Sequence, residues 1–113
     1  MTTERFHLAG IGGVGMSALA QALLDRGIPV SGSDRLLDSG DATDTLTRLR
    51  NQGVALYPQD GSGIAAGAAR LVVSSAIEDD NADLVAARHG GIPTVHRAVQ
   101  LAELAEGRKL IAV

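Results

Sequence analysis

Cysteine and tryptophan are absent from this 113-residue sequence, and aromatic residues make up only 2% of it, namely Phe6 and Tyr57. The first absence excludes disulfides, thiolate catalysis and cysteine metal sites, and fits a reducing, cytoplasmic setting. The second means that the interior is built from Ala, Val, Leu and Ile, which suits the close layers of an α/β fold. No stretch concentrates Lys and Arg and the net charge is −3, so a nucleic-acid footprint is not expected. There is no repeat, low-complexity tract or linker, and the length corresponds to one domain. Residues 6–24 carry no charge, and Ala18-Leu19-Ala20 resembles a signal-peptidase site. The front of that run is glycine-rich and weakly apolar, however, and Glu4 offsets Arg5. A strand, a glycine loop and a buried helix explain it better than an export signal or a membrane span.

Apolar residues make up 45% of the chain, and their spacing alternates between strand and helix. Residues 6–9 read as a short buried strand. Met16, Leu19, Ala20, Leu23 and Leu24 recur at helical spacing, predicting a helix over 14–26 that Gly27 ends. Residues 28–33 form a second strand. Residues 41–52 form a polar helix with Leu46, Leu49 and Ala42 inward, and 54–57 a third strand. A weak helical turn follows over 64–69, then the apolar strand Leu71-Val72-Val73. Asn81 caps a helix over 82–89, stopped by Gly90-Gly91. Residues 93–95 are a fifth strand, and Val99, Leu101, Ala102 and Leu104 mark a last helix. This order implies right-handed crossovers: a Rossmann-like parallel sheet of about five strands with helices on both faces.

In such a sheet, ligands bind beyond the carboxyl ends of the strands. The first loop, Gly10-x-Gly12-x-x-Gly15, lies there and matches a dinucleotide-binding fingerprint. Backbone N–H groups around Val14 to Ser17 would hold a diphosphate without Lys or Arg. Asp34 follows Gly15 by 19 residues, at the end of the second strand, where a carboxylate accepts from ribose hydroxyls. NAD and UDP both carry a ribose, so Asp34 leaves both open. Ser74, Ser75 and Asn81 follow the fourth strand at the same edge and could meet a base or sugar, or serve only turn and cap chemistry. His7 lies inside the first strand and reads as structural, His89 sits at a helix end, and His96 is near the ligand edge beside Arg97. No metal-ligand spacing and no nucleophile–base pair is present, so catalytic and metal-ligating residues are assigned to none.

Taken together, HLAGIGGVGMSALA, VSGSD, LVVSSAIEDDN and GIPTVHRAVQLAEL resemble the N-terminal domain of the Mur ligases, and most closely their alanine-adding branch. The resemblance covers nearly the whole chain in order. It implies a site for the UDP part of UDP-N-acetylmuramate. The diphosphate would lie on Gly12, Gly13, Val14, Gly15, Met16 and Ser17, and the ribose on Asp34 with Ser33. Ser74, Ser75, Ala76 and Ile77 would line the uridine side, with Asn81 and Arg97 as further contacts. Where the family often has Gly-His after the third strand, this chain has Pro58-Gln59, so that contact does not carry over. Ala82 replaces a common proline after Asn81.

The resemblance also implies what lies elsewhere. Residues 1–107 would be the UDP-sugar domain, and 108–113 the first strand leading to an ATP-binding central domain. The phosphate loop Gly-x-x-x-x-Gly-Lys-Ser/Thr is not in this sequence. ATP and Mg2+ would therefore belong to the full ligase and its central and C-terminal domains. Ligation by this chain alone is not expected. The rival expectations are an NAD(P)-binding oxidoreductase domain and a nucleotide-sensing regulatory domain.

Overall fold

The computed structural model describes residues 4–38, 40, 44–75 and 77–111. Five parallel strands form one sheet: β1 (Phe6–Ala9), β2 (Val30–Ser33), β3 (Ala55–Tyr57), β4 (Arg70–Val73) and β5 (Thr94–His96), in the order β3-β2-β1-β4-β5. The sheet is thus Rossmann-like, with its switch in strand order between β1 and β4. Among the described residues, six helices lie between and after the strands: α1 (Val14–Asp25), α2 (Arg35–Asp38), α3 (Asp44–Asn51), α4 (Ser62–Ala65), α5 (Ala82–Gly90) and α6 (Arg97–Ile111). The short α2 was not expected, and Ala42 falls outside the described residues.

Side chains alternate along β1, so Phe6 and Leu8 face one layer and His7 and Ala9 the other. The larger core joins Phe6, Leu8, Val30 and Val72 to Leu19 and Leu23 of α1, Leu46 and Leu49 of α3, and Leu104 of α6. The smaller core joins Ala9 and Leu71 to Ile64, Leu84 and Ala87 of α4 and α5. Both faces of the central strands are therefore covered, and every residue of β1 and β2 is buried.

Gly32, in the middle of β2, is required by its neighbour. A Cβ there would lie 2.5–2.8 Å from three atoms of Ile11. Ile11 cannot retreat easily, because it is fully buried and its N–H, like that of Gly10, donates to the Ser33 carbonyl. Gly32→Ala is expected to cost about 1–3 kcal/mol through overpacking. A urea titration showing no loss would contradict this packing.

The helix marked by Val99, Leu101, Ala102 and Leu104 is present, but it presents a different stripe. Leu104 and Gln100 are buried, whereas Val99 and Leu101 are about half exposed. Arg70 donates to the Gln100 side chain at 2.7 Å, which fixes the inward face. Residues 108–111 do not begin a strand; α6 continues through Ile111, and residues 112 and 113 lie outside the described residues. The run Ala102-Glu103-Leu104-Ala105-Glu106 is made of strong helix formers, and the single Gly107 costs too little, about 1 kcal/mol, to end it.

Candidate functional site

The loops after β1, β2, β3 and β4 and the start of α6 enclose a cavity of about 680 Å³. That is the size of a nucleotide-scale ligand site, and it lies at the sheet edge where the topology places one.

One wall is the glycine loop. Gly10 adopts φ +72°, a left-handed turn that suits glycine. Gly13 then caps α1 without a side chain, and the first turn of α1 carries no acid. The N–H groups of Val14, Gly15 and Met16 consequently lack an intrahelical acceptor and form an electropositive end. Arg97 adds a charge to it. A Cβ on Gly15 would lie 3.0–3.1 Å from the Arg97 guanidinium, so glycine is what lets this cation sit on the helix start.

Asp34 forms the next wall and is 8% exposed. Its Oδ2 accepts from the Gly12 N–H at 2.8 Å and its Oδ1 from the Leu36 N–H at 2.9 Å. The carboxylate thus ties the glycine loop to the start of α2 and retains lone pairs toward the cavity. Opposite lie Gln59, Ser74, Ile77 and Asn81. Asn81 caps α5: its Oδ1 accepts from Asp83 N at 2.9 Å and Leu84 N at 3.2 Å, and its Nδ2 donates to Gln59 Oε1 at 3.1 Å.

The structure brings Gly12, Gly13, Gly15, Met16, Asp34, Ser74, Ile77, Asn81 and Arg97 to this cavity. The remaining expected residues fall elsewhere. The Val14 side chain is 90% exposed, so only its backbone faces the helix start. Ser17 is buried, with its hydroxyl donating to the Val14 carbonyl. Ser33 is fully buried and turned to the opposite face of β2, where it donates to Asp83. Ser75 is exposed and not part of the lining, and Ala76 lies outside the described residues. Sequence reasoning missed Arg35, Leu36, Gln59, Glu78 and Asp80, which also line the cavity. Arg35 and Leu36 directly follow Asp34, which was the available signal. Gln59 was set aside because Pro58-Gln59 departs from the expected Gly-His. His96 does not line the cavity; its Nδ1 accepts from the Ala98 N–H at the start of α6.

Behind the cavity wall lies a buried polar network. His7, Ser31, Ser33 and Asp83 are all fully buried. Arg5 donates to Ser31 Oγ and, at 2.8 Å, to the Gly63 carbonyl. The Ser31 hydroxyl meets His7 Nδ1 at 2.8 Å, and His7 Nε2 meets Asp83 Oδ2 at 3.3 Å. Asp83 Oδ1 accepts from the Gly61 N–H at 3.0 Å. Burial pushes the Asp83 carboxyl up, but hydrogen bonds from His7 and Ser33, attraction to His7 and the Gly61 N–H outweigh it. The net displacement is below the ordinary carboxylate value. An ionised carboxylate only accepts, so His7 Nε2 carries a proton. The Ser–His–Asp chain is sealed from solvent and serves the fold, in line with the structural reading of His7.

The model of the Mur ligase family, catalytic domain, matches residues 5–109. The chain belongs to the Mur ligase family. It is 45% identical over 113 residues to the UDP-N-acetylmuramate–L-alanine ligase of Gloeobacter violaceus, covering all of this chain and 24% of that protein. The namesake ligase of Desulfosudis oleivorans is 47% identical over 106 residues, covering 92% of this chain and 22% of that one. The crystal structure of the UDP-N-acetylmuramate–alanine ligase of Thermotoga maritima superposes with a TM-score of 0.80 at 27% identity, over 93% of this chain and 23% of that one. This Mur ligase chain thus spans about a quarter of the length of these relatives. Among the described residues, no helix is long and apolar enough to cross a membrane.

Proposed function

We propose that this chain is the UDP-sugar-binding part of a UDP-N-acetylmuramate–L-alanine ligase acting in peptidoglycan precursor synthesis. The observation that carries the reading is the uncapped start of α1, with Arg97 lying on Gly15 and Asp34 tied to Gly12. That arrangement supplies backbone donors and one cation for a diphosphate, with a carboxylate beside it for ribose hydroxyls. The relatives named above, called ligases of UDP-N-acetylmuramate and alanine, supply the substrate class. Membership in a ligase family displaces the NAD-dependent oxidoreductase reading, which rested on the glycine loop and Asp34 alone.

In the whole ligase we assign, ATP and Mg2+ would supply the activation of the muramyl carboxylate that precedes amide formation with alanine. The residues present here do not fit that step. No phosphate loop occurs in the sequence, and no group of three His, Cys, Asp or Glu among the described residues could hold a metal ion. The role of this chain is to hold and orient the nucleotide end of the substrate. Activation and ligation belong to the central and C-terminal domains, in the cytoplasm, where residues 1–107 would form the UDP-sugar domain and 108–113 the lead into the central one. No membrane or nucleic-acid partner is assigned.

Titration calorimetry with UDP-N-acetylmuramate and, separately, NADH tests the reading. Binding of the UDP-sugar with none of NADH is expected. Binding of NADH alone, or of neither, would overturn it. Incubation with ATP, Mg2+ and alanine is expected to yield no amide product.

A further inference from the structure

Asp83 is not part of the cavity lining, yet its partners stand beside three of the walls. It is fully buried in the first turn of α5, and both of its carboxylate oxygens are engaged. Oδ2 accepts from the Ser33 hydroxyl and from His7 Nε2 at 3.3 Å, and Oδ1 accepts from the Gly61 N–H at 3.0 Å. Ser33 directly precedes Asp34, Gly61 follows Gln59 by two residues, and Asp83 follows Asn81 by two. Asp34, Gln59 and Asn81 all line the cavity. The link through Ser33 reaches the glycine loop as well. The Ser33 carbonyl accepts from the N–H groups of Gly10 and Ile11 at 2.8 and 3.0 Å, and the Asp34 carboxylate accepts from that of Gly12. The end of β2 thus holds three successive amides of the glycine loop, and Asp83 holds the end of β2.

We propose that Asp83 is a positioning residue for the nucleotide site, which fixes the end of β2, the loop after β3 and the start of α5 relative to one another from behind the cavity. For its ligand this rests on the UDP-sugar reading. Well-packed apolar side chains would fill the same space with no loss of net stability, because a buried ion pair contributes little over them. What the carboxylate adds is direction. Each donor must meet a particular oxygen at hydrogen-bond distance and angle, so the segments that share it keep one arrangement. A ligand then meets walls already in place, and binding does not have to order them.

The experiment is calorimetric titration of UDP into this chain and into Ser33→Ala, Asp83→Asn and Val54→Ala, each confirmed as folded by circular dichroism. Amide hydrogen exchange is followed in the same four proteins without ligand. Ser33→Ala removes one link to the carboxylate, and that side chain is fully buried against Asp83, so its effect on binding must travel through the backbone. Val54→Ala is the control: it takes volume from the larger core just before β3, at the other end of that strand from Gln59. UDP is expected to bind about three- to tenfold more weakly to Ser33→Ala and Asp83→Asn, and as tightly to Val54→Ala as to the unaltered chain. The Gly10, Ile11 and Gly12 amides are expected to exchange faster, relative to Leu8 of β1, in the first two variants only. Unchanged affinity in either of them, or an equal loss in Val54→Ala, would overturn the positioning role and leave the UDP-sugar reading standing. Failure of the unaltered chain to bind UDP would overturn that reading; the exchange rates then decide the positioning role alone, and unchanged rates at Gly10, Ile11 and Gly12 would overturn it.

Discussion

Replacing Asp83 by alanine is expected to destabilise this chain by about 3–5 kcal/mol, because several buried donors would lose the one carboxylate they share. The carboxylate serves three donors at once: His7, Ser33 and the Gly61 backbone N–H. Without it these fully or largely buried groups keep their desolvation cost and lose their partner. Domains of this size have about 5–15 kcal/mol of stability in total, so the loss is a large part of the margin. Urea unfolding followed by circular dichroism measures it. If Asp83→Ala does not fold, Asp83→Asn provides a milder variant, because its oxygen still accepts from Gly61. A change below about 1 kcal/mol in either would show that the network contributes little.

The same carboxyl predicts a pH dependence. Its folded-state pKa lies below the 3.8 of the free side chain, so folding favours the ionised form. Its contribution is complete well above 3.8 and is lost as the pH falls through the lower folded-state value. The difference in stability between the unaltered chain and Asp83→Asn is therefore expected to be constant near neutrality and to shrink below about pH 4. A difference that grew on acidification would contradict the depressed pKa.

Arg97→Ala is expected to weaken UDP-N-acetylmuramate binding by about 10- to 100-fold, the range for losing a hydrogen bond to a charged group. The guanidinium is half-buried and lies over the first turn of α1, where only backbone amides would otherwise meet the diphosphate. Its removal leaves those amides in place, so binding is expected to weaken and not to disappear. Arg97→Lys should recover only part, since an ammonium places one point charge where the guanidinium offers a planar fork. Calorimetry reads the affinities, and a melting curve shows whether the fold is intact. Affinity unchanged in Arg97→Ala would remove this residue from the site.

Much of the architecture was legible because local signals and global order agree. Alternating apolar runs gave five strands in the right sequence positions, and Gly27, Gly53 and Gly91 mark helix ends with positive φ. Asn81 caps α5 as its position suggested. The glycine loop and Asp34 were recognisable because close backbone approach and an uncapped helix start require particular residues in a fixed order.

What escaped notice depends on partners distant in the chain. Ser33 stands next to Asp34 in the sequence, but strand alternation sends its side chain to the other face, toward Asp83, 50 positions away. Nothing in VSGS distinguishes a ligand-facing serine from one that satisfies a buried carboxylate. Gln59 was passed over for a similar reason: its place in the cavity wall goes with a hydrogen bond to Asn81, 22 positions later. On α6, the apolar positions marked the helix but not its inward face, and Val99 and Leu101 are about half exposed. The interior instead took Gln100, because Arg70 on β4 needed an acceptor.

The central claim is that the start of α1, with Arg97 and Asp34, holds the UDP part of UDP-N-acetylmuramate. A titration of the 15N-labelled chain with that compound, followed by amide chemical shifts, tests it most directly. The account predicts the largest shifts at the Gly12, Gly13, Val14, Gly15 and Met16 amides, with further ones at Asp34, Ser74 and Arg97. Shifts that left the glycine loop unmoved, or that clustered away from this cavity, would contradict it.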